Sequence, residues 1–371
     1  MKEIREILKE VAGLPEGEKA VLATVVDLKG SGYRLPGARM LIKANGDATG
    51  TVSGGCLEAD VLERAKRVLA TGKAEVFTYD TTADENSVFS LNMGCRGVLR
   101  ILLEPVDDDS KIISLLHDVN ENRKPLASAT LIDTGGDANL TVGSRVLVDE
   151  SNVGEIVDSQ SLIKAIPQLH DELLTFTLSS AGYETIHYEA ENGTTEFAFE
   201  TLKPPVRLVI FGAGADAVPL ANTANSLGWH VCIYDHRPAF LTEERFPVAD
   251  ELVELDRDST PNLATDNQTA IVSMNHNYDR DKEMLCVALR SNAFYVGALG
   301  PKKRTLQILD ELGNPFDESQ LSRLRAPAGL DIGADTPEAI AISIIAEIQS
   351  VLKNRTGGPL RDRQASIYDR K

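Results

Sequence analysis

Apolar residues follow one rhythm before about residue 205 and another after it. In the first part, Ala20-Val21-Leu22-Ala23-Thr24-Val25-Val26 and Arg39-Met40-Leu41-Ile42 are apolar runs of strand length, the second closed by the turn Asn45-Gly46-Asp47. Leu57, Val61, Leu62, Ala65, Val68 and Leu69 then recur at helical spacing and stop at Gly72, which predicts a helix. Further strands are expected over residues 75–79 and 98–103. The opening residues, Met1-Lys2-Glu3-Ile4-Arg5-Glu6-Ile7-Leu8, mix both charges at helical spacing. The pattern is α+β.

Residues 128–205 repeat this pattern in reduced form. Sliding the chain by 106 residues pairs Ala23 with Ala129, Thr24 with Thr130, Asp27 with Asp133, Gly30 with Gly136, Gly37 with Gly143, Arg39 with Arg145 and Leu41 with Leu147. Leu103-Glu104-Pro105-Val106 finds a counterpart in Leu202-Lys203-Pro204-Pro205-Val206. A degenerate internal duplication follows, with the two copies packed as one unit. The loop Tyr33-Arg34-Leu35-Pro36 and the turns Ser53-Gly54-Gly55-Cys56 and Met93-Gly94-Cys95 have no equivalents in the second copy. A part that only holds the fold should survive in both copies. These three loops are therefore the functional candidates of the N-terminal half, whereas Gly37 and Arg39 read as structural.

Beyond Pro204-Pro205, short apolar strands at 206–211, 230–235, 270–274 and 294–299 alternate with helical segments at 215–227, 279–290, 302–312 and 337–351. That alternation implies a parallel sheet with right-handed crossovers. The fold class is thus α/β: an N-terminal α+β domain over 1–108, a degenerate repeat packed on it over 109–203, and a Rossmann-type domain over 204–371.

The chain carries 38 basic and 56 acidic residues, a net charge of −18 with neither sign gathered into one block. That weighs against nucleic acid and anionic membrane as partners. No signal peptide opens the chain and no run of about 18 apolar residues exists, so a cytoplasmic protein without a membrane span is expected. Cys56, Cys95, Cys232 and Cys286 are too scattered for a disulfide framework.

Chemistry concentrates in two places. Arg207-Leu208-Val209-Ile210-Phe211 runs into Gly212-x-Gly214-x-x-Ala217, the glycine turn of a dinucleotide-type fold. Gly212 permits the tight turn, and Gly214 lets backbone approach a phosphate at a helix N-terminus. Asp235, ending the next strand, stands where a ribose-binding carboxylate would sit. Asp216 in the same turn would repel a pyrophosphate. His276, Asp281 and the basic run Lys302-Lys303-Arg304 should fall on the same carboxyl edge of the sheet. Together they suggest a pocket for a phosphorylated ligand, with Gly212, Gly214, Asp235, His276 and Lys303 as binding residues. The second place is the pair of cysteine turns, where Cys56 directly precedes a helix and Cys95 adjoins Arg96, settings suited to reactive sulfur or soft-metal contact.

The loop from Gly30 to Met40, the turn Gly50-Thr51-Val52-Ser53-Gly54-Gly55-Cys56-Leu57-Glu58 and the segment Asn92-Met93-Gly94-Cys95-Arg96-Gly97 resemble the N-terminal motifs of the XdhC/CoxI family. The glycine turn, Tyr234-Asp235-His236-Arg237-Pro238, Met274-Asn275-His276, Tyr295-Val296-Gly297-Ala298-Leu299-Gly300 and Gly329 to Glu338 resemble its C-terminal Rossmann domain. Two positions depart from the family: Ala215-Asp216 stands where His-Val is usual, and Arg96 where Gly or Asn is more common. The resemblance implies a non-enzymatic accessory factor that binds molybdenum cofactor (molybdopterin), assists its sulfuration and inserts it into a xanthine dehydrogenase-type molybdenum hydroxylase. It further implies cofactor contacts from Arg34, Cys56 and Cys95, with Cys95 on the metal, a cysteine desulfurase as an additional partner, and a homodimer. Two other readings stay open: an NAD(P)- or FAD-dependent oxidoreductase using the glycine turn, and a protein-interaction component with an empty Rossmann domain.

Overall fold

A computed structural model describes residues 2–80, 97–149, 160–178, 182–190, 193–256, 261, 263–364 and 367. The chain divides into two compact units between Pro204 and Pro205.

The first unit holds two sheets. One has strand order β3-β2-β1-β5-β4, from β1 (Ala20–Gly30), β2 (Arg39–Ile42), β3 (Ala48–Gly50), β4 (Glu75–Asp80) and β5 (Gly97–Val106). The other has order β7-β6-β9-β8, from β6 (Leu126–Asp133), β7 (Arg145–Asp149), β8 (Tyr183–Ala190) and β9 (Gly193–Leu202). Helix α1 (Lys2–Ala12) opens the chain, α2 (Glu58–Thr71) crosses from β3 to β4, and α3 (Lys111–Asn120) links the sheets. In the second sheet α4 (Gln160–Ala165) and α5 (Leu169–Leu178) occupy the place of α2. Gly72 ends α2 in the left-handed conformation at φ 67°, a backbone state that glycine adopts without strain.

The repeat holds at the level of register. Val21 pairs with Ile42 and Ala23 with Met40, while Ala127 pairs with Val148 and Ala129 with Val146, all offset by 106. β1 carries a bulge between Val25 and Asp27, and β6 carries the same bulge between Leu131 and Asp133. On the partner strand the offset is 96: Ala23 faces Leu103, and Ala129 faces Phe199. This corrects one sequence expectation, since Glu104 corresponds to Glu200 and not to Lys203. The proline-rich ends that suggested the other alignment lie beyond the ladder that sets register.

Alternation along the strands gives each sheet two apolar faces. One face packs on its own helix, with Val21, Ala23, Val25 and Met40 against Val61, Ala65 and Val68 of α2, and Ala127, Ala129, Leu131 and Val146 against Leu169, Leu173 and Phe176. The opposite faces meet, and Val26, Leu102, Ile132 and Ala198 form one small cluster composed of two equivalent pairs. The unit is therefore four layers, helix, sheet, sheet, helix.

The second unit is a parallel six-stranded sheet of order β12-β11-β10-β13-β14-β15. Its strands are β10 (Arg207–Phe211), β11 (His230–Asp235), β12 (Glu251–Glu254), β13 (Thr269–Ser273), β14 (Tyr295–Ala298) and β15 (Leu324–Arg325). One face is covered by α6 (Ala217–Ser226) and α10 (Pro337–Leu352), the other by α7 (Tyr278–Arg290), α8 (Lys302–Glu311) and α9 (Glu318–Ser322). Counted from β10, the order is 3-2-1-4-5-6, so the direction of travel across the sheet reverses between β10 and β13. Ligand crevices of such sheets open at that point, outside the carboxyl ends. Among the described residues no helix is long and apolar enough to cross a membrane.

Candidate functional site

The turn after β10 is built around Gly212. Its φ is +113°, and a Cβ there would lie 2.6 Å from the Met274 carbonyl oxygen, so only glycine fits. Gly214 sits beneath His276, whose ring carbon lies 3.7 Å from where a Cβ of Gly214 would be. His276 itself takes a left-handed φ of 55°, a state uncommon outside glycine that histidine adopts more readily than most residues. Its Nε2 lies 3.1 Å from Oδ2 of Asp216, and its side chain is 58% exposed. Asp216 thus faces across the mouth of the turn instead of capping α6, where it makes no side-chain cap.

Asp235 ends β11 at the position expected for a ribose carboxylate, but its side chain is buried and fully used. Oδ2 accepts from Ala213 N at 2.7 Å and Arg237 Nη2 at 2.7 Å, and Oδ1 accepts from Arg237 N and Nε, both at 2.9 Å. Burial alone would raise its pKa, yet the hydrogen bonds from Arg237 and the Ala213 amide hold it below the usual carboxylate range. The role this geometry gives Asp235 is to lock the glycine turn to Arg237. Arg237 lies over the Phe240 ring at 4.2 Å, and Arg245 lies over the same ring at 4.7 Å while donating to the Ala213 carbonyl at 3.1 Å. Two guanidiniums therefore flank the turn. In the sequence Arg237 stands out only as part of a motif, and Arg245 carries no local signal, because its contact with Ala213 spans 32 residues.

Asp281 is structural as well. Its Oδ1 accepts from Ser273 Oγ at 3.0 Å and Asn275 N at 3.2 Å, and its other oxygen pairs with Arg304. That fastens the end of β13 to α7 and α8. Lys302 and Lys303 remain exposed in the first turn of α8, at the carboxyl side of β14.

In the first unit, two of the copy-specific loops, around Tyr33 and Ser53, come together. The Tyr33 ring lies over Gly54, 3.2 Å from a Cβ built there, which brings the Tyr33 loop onto the Ser53 turn. Gly97 is pressed against the Ser31 carbonyl, with a Cβ approach of 2.6 Å. Cys95 lies outside the described residues, and Cys56 is an exposed free thiol just ahead of α2. Glu58 organises the turn: its carboxylate accepts from Thr51 Oγ1 at 2.7 Å, from Ser53 N at 3.0 Å and from Ser53 Oγ. Burial opposes the charge on Glu58, but those bonds hold its pKa below the ordinary value. Arg34 is paired with Glu3, whose other oxygen accepts from Arg39 N at 2.7 Å, so part of its charge is already neutralised.

Fold and site together define a two-part protein: a duplicated α+β unit with one loop-bearing end, and a Rossmann domain whose glycine turn carries an arginine clamp. Residues 14–80 match the XdhC and CoxI family and residues 208–348 match the XdhC Rossmann domain. The chain belongs to the XdhC and CoxI family. It is 31% identical over 337 residues to a protein of Bacillus subtilis (strain 168) described as a probable component of xanthine dehydrogenase, covering 90% of this chain and 94% of that protein. It is 24% identical over 351 residues to the molybdenum cofactor insertion chaperone PaoD of Escherichia coli (strain K12), covering 94% and 88%. A crystal structure described as a xanthine dehydrogenase from Bacillus halodurans superposes with a TM-score of 0.73 at 28% identity, covering 96% of this chain and 97% of that one.

Proposed function

We propose that this protein binds molybdenum cofactor, holds it while its terminal sulfur is installed, and delivers it to a xanthine dehydrogenase-type hydroxylase. The observation that carries this reading is similarity through both units to a protein named as a molybdenum cofactor insertion chaperone. The geometry of the Rossmann edge supports it. A pterin phosphate suits a glycine turn with a helix N-terminus behind it and guanidiniums beside it. Arg245 commits one side-chain N–H to Ala213, and a guanidinium has five. The exposed Cys56 turn suits a ligand that carries sulfur and a soft metal. A cysteine desulfurase as sulfur donor and a homodimeric assembly belong to the same proposal.

Asp235 accepts four hydrogen bonds from the protein, which leaves no lone-pair direction for a ribose hydroxyl and weighs against a dinucleotide-dependent oxidoreductase. The test is to incubate the purified chain with molybdenum cofactor, recover it by gel filtration, and add a cofactor-free molybdenum hydroxylase. Co-elution and faster activation of the hydroxylase are expected. Absence of co-elution, or activation at the same rate without the chain, would overturn the proposal; tight NADP(H), NAD(H) or FAD binding by calorimetry would favour the oxidoreductase.

A further inference from the structure

At the amino edge of the Rossmann sheet, away from the glycine turn, three side chains of different donor chemistry converge. His230 and Cys232 lie two residues apart on β11 and so share one face of the sheet. Glu251, the first residue of β12, is the register partner of Cys232. Cys232 Sγ is 3.3 Å from His230 Nδ1, and Glu251 Oε1 is 3.8 Å from His230 Nε2. One ligand atom from each residue lies within 4.8 Å of the other two. No other such group of three occurs among the described residues. The thiol is buried at 1% exposure, whereas the imidazole and carboxylate reach solvent at 20% and 41%.

We propose that His230, Cys232 and Glu251 bind one divalent ion of the zinc class. Metal–nitrogen and metal–oxygen bonds of ~2.0–2.2 Å and metal–sulfur bonds of ~2.3 Å place tetrahedral donors roughly 3.3–3.7 Å apart, so an ion held through one imidazole nitrogen draws the three donors together from a spread of up to 4.8 Å by side-chain rotation. The donor set selects among ions. Sulfur and imidazole disfavour magnesium and calcium, which take oxygen, and favour zinc and its neighbours. Paired strands hold two of the ligands by main-chain hydrogen bonds, so little ordering accompanies binding. Arg207 supplies the counter-charge in the metal-free state, with Nη2 3.5 Å from Glu251 Oε1, and gives way when the ion takes that oxygen. Three protein ligands leave a fourth position for water. The glycine turn follows the far end of β10, a strand of 5 residues, and so lies roughly 16 Å from this edge at ~3.3 Å per residue. The metal site and the cofactor reading therefore stand or fall separately.

Cobalt(II) is the probe. The full chain is stripped with chelator in a Cys56→Ser, Cys95→Ser background, which leaves Cys232 and Cys286 as its thiols. Titration should produce a thiolate-to-cobalt charge-transfer band and tetrahedral visible bands that saturate at one ion per chain and vanish on adding zinc. Cys232→Ala should abolish the charge-transfer band and Cys286→Ser should leave it. His230→Ala and Glu251→Gln, which keep the buried thiol, should each weaken cobalt affinity at least tenfold with unchanged circular dichroism. No band with excess cobalt, a band that survives Cys232→Ala, or unchanged affinity in both His230→Ala and Glu251→Gln would overturn the site.

Discussion

The two copies inside the first unit share a skeleton and differ in their loops, and the difference separates structure from function. Arg39 makes a bidentate pair with Glu200, at 3.0 and 2.5 Å, and donates to the Gly37 carbonyl at 3.0 Å. Its counterpart Arg145 makes a bidentate pair with Glu104, at 2.8 and 2.5 Å, and donates to the Gly143 carbonyl at 2.9 Å. Each copy therefore clamps a glutamate of the other. Arg100 and Glu196, equivalent positions, pair directly with each other. Gly97 and Gly193, also equivalent, press on the Lys29 and Gly135 carbonyls at Cβ distances of 2.7 and 2.5 Å. The shared ion pairs hold the sheets face to face, and the shared glycines let strands within each copy approach closely. The residues of the Tyr33 loop and the Cys56 turn are not repeated in the second copy, where Asn139-Leu140-Thr141-Val142 stands at the place of Tyr33 to Pro36, so packing common to both copies does not explain them.

The comparison breaks first at the shared ion pairs. Arg39→Ala strands Glu200 in a site where the two side chains are 3% and 13% exposed, and should cost about 3–5 kcal/mol. Arg39→Met with Glu200→Leu should recover most of that loss, because the desolvation penalty of both charges disappears. Arg145→Ala, in a slightly wetter pair, should cost about 2–3 kcal/mol. Unfolding is followed by far-ultraviolet circular dichroism, with the fluorescence of Trp229, the chain's one tryptophan, reporting the Rossmann unit alone. A loss below about 1 kcal/mol for Arg39→Ala would show that the clamp is ornamental.

A second, smaller effect concerns the shared glycines. Gly193→Ala meets the Gly135 carbonyl at φ +145°, and should cost about 1–3 kcal/mol. The copy-specific loops should behave in the opposite way. Tyr33→Ala and Cys56→Ser alter exposed side chains and should leave stability within about 0.5 kcal/mol, while lowering cofactor transfer to the hydroxylase at least fivefold. Unchanged transfer in both variants would remove these loops from the site.

The smallest effect is pH-dependent. Glu58 has a depressed pKa in the folded chain, so its stabilisation of the Thr51–Ser53 turn is complete above about pH 4.3, the unfolded value. It is lost as pH falls through the lower folded value. Hydrogen exchange of the Ser53 and Leu57 amides should accelerate over that acid range beyond the intrinsic rate, and Glu58→Gln should remove the dependence.

Much of the architecture is legible in the chain itself, since hydrophobic periodicity reports which face of a strand or helix is buried. The helix ending at Gly72, the alternation beyond Pro205 and the first arm of the repeat all follow from local pattern. The second arm reads three residues off because its anchors, the prolines, lie outside the ladder. Arg237 is legible only as part of a motif, and Arg245 bears no signal, because its contact with the Ala213 carbonyl reaches across 32 residues. The pairing of His276 with Asp216 spans 60 residues.

The amino-acid sequence alone determined the fold class, the duplication and the position of the glycine turn, all set by short-range spacing and chain-local geometry. Tertiary structure decided what the charged groups do. Asp235 became a lock for the turn, Asp281 a fastening for β13, and His230, Cys232 and Glu251 a cluster. A charge's role depends on its desolvation and on which partner arrives from another strand, and neither is encoded within a few residues of it.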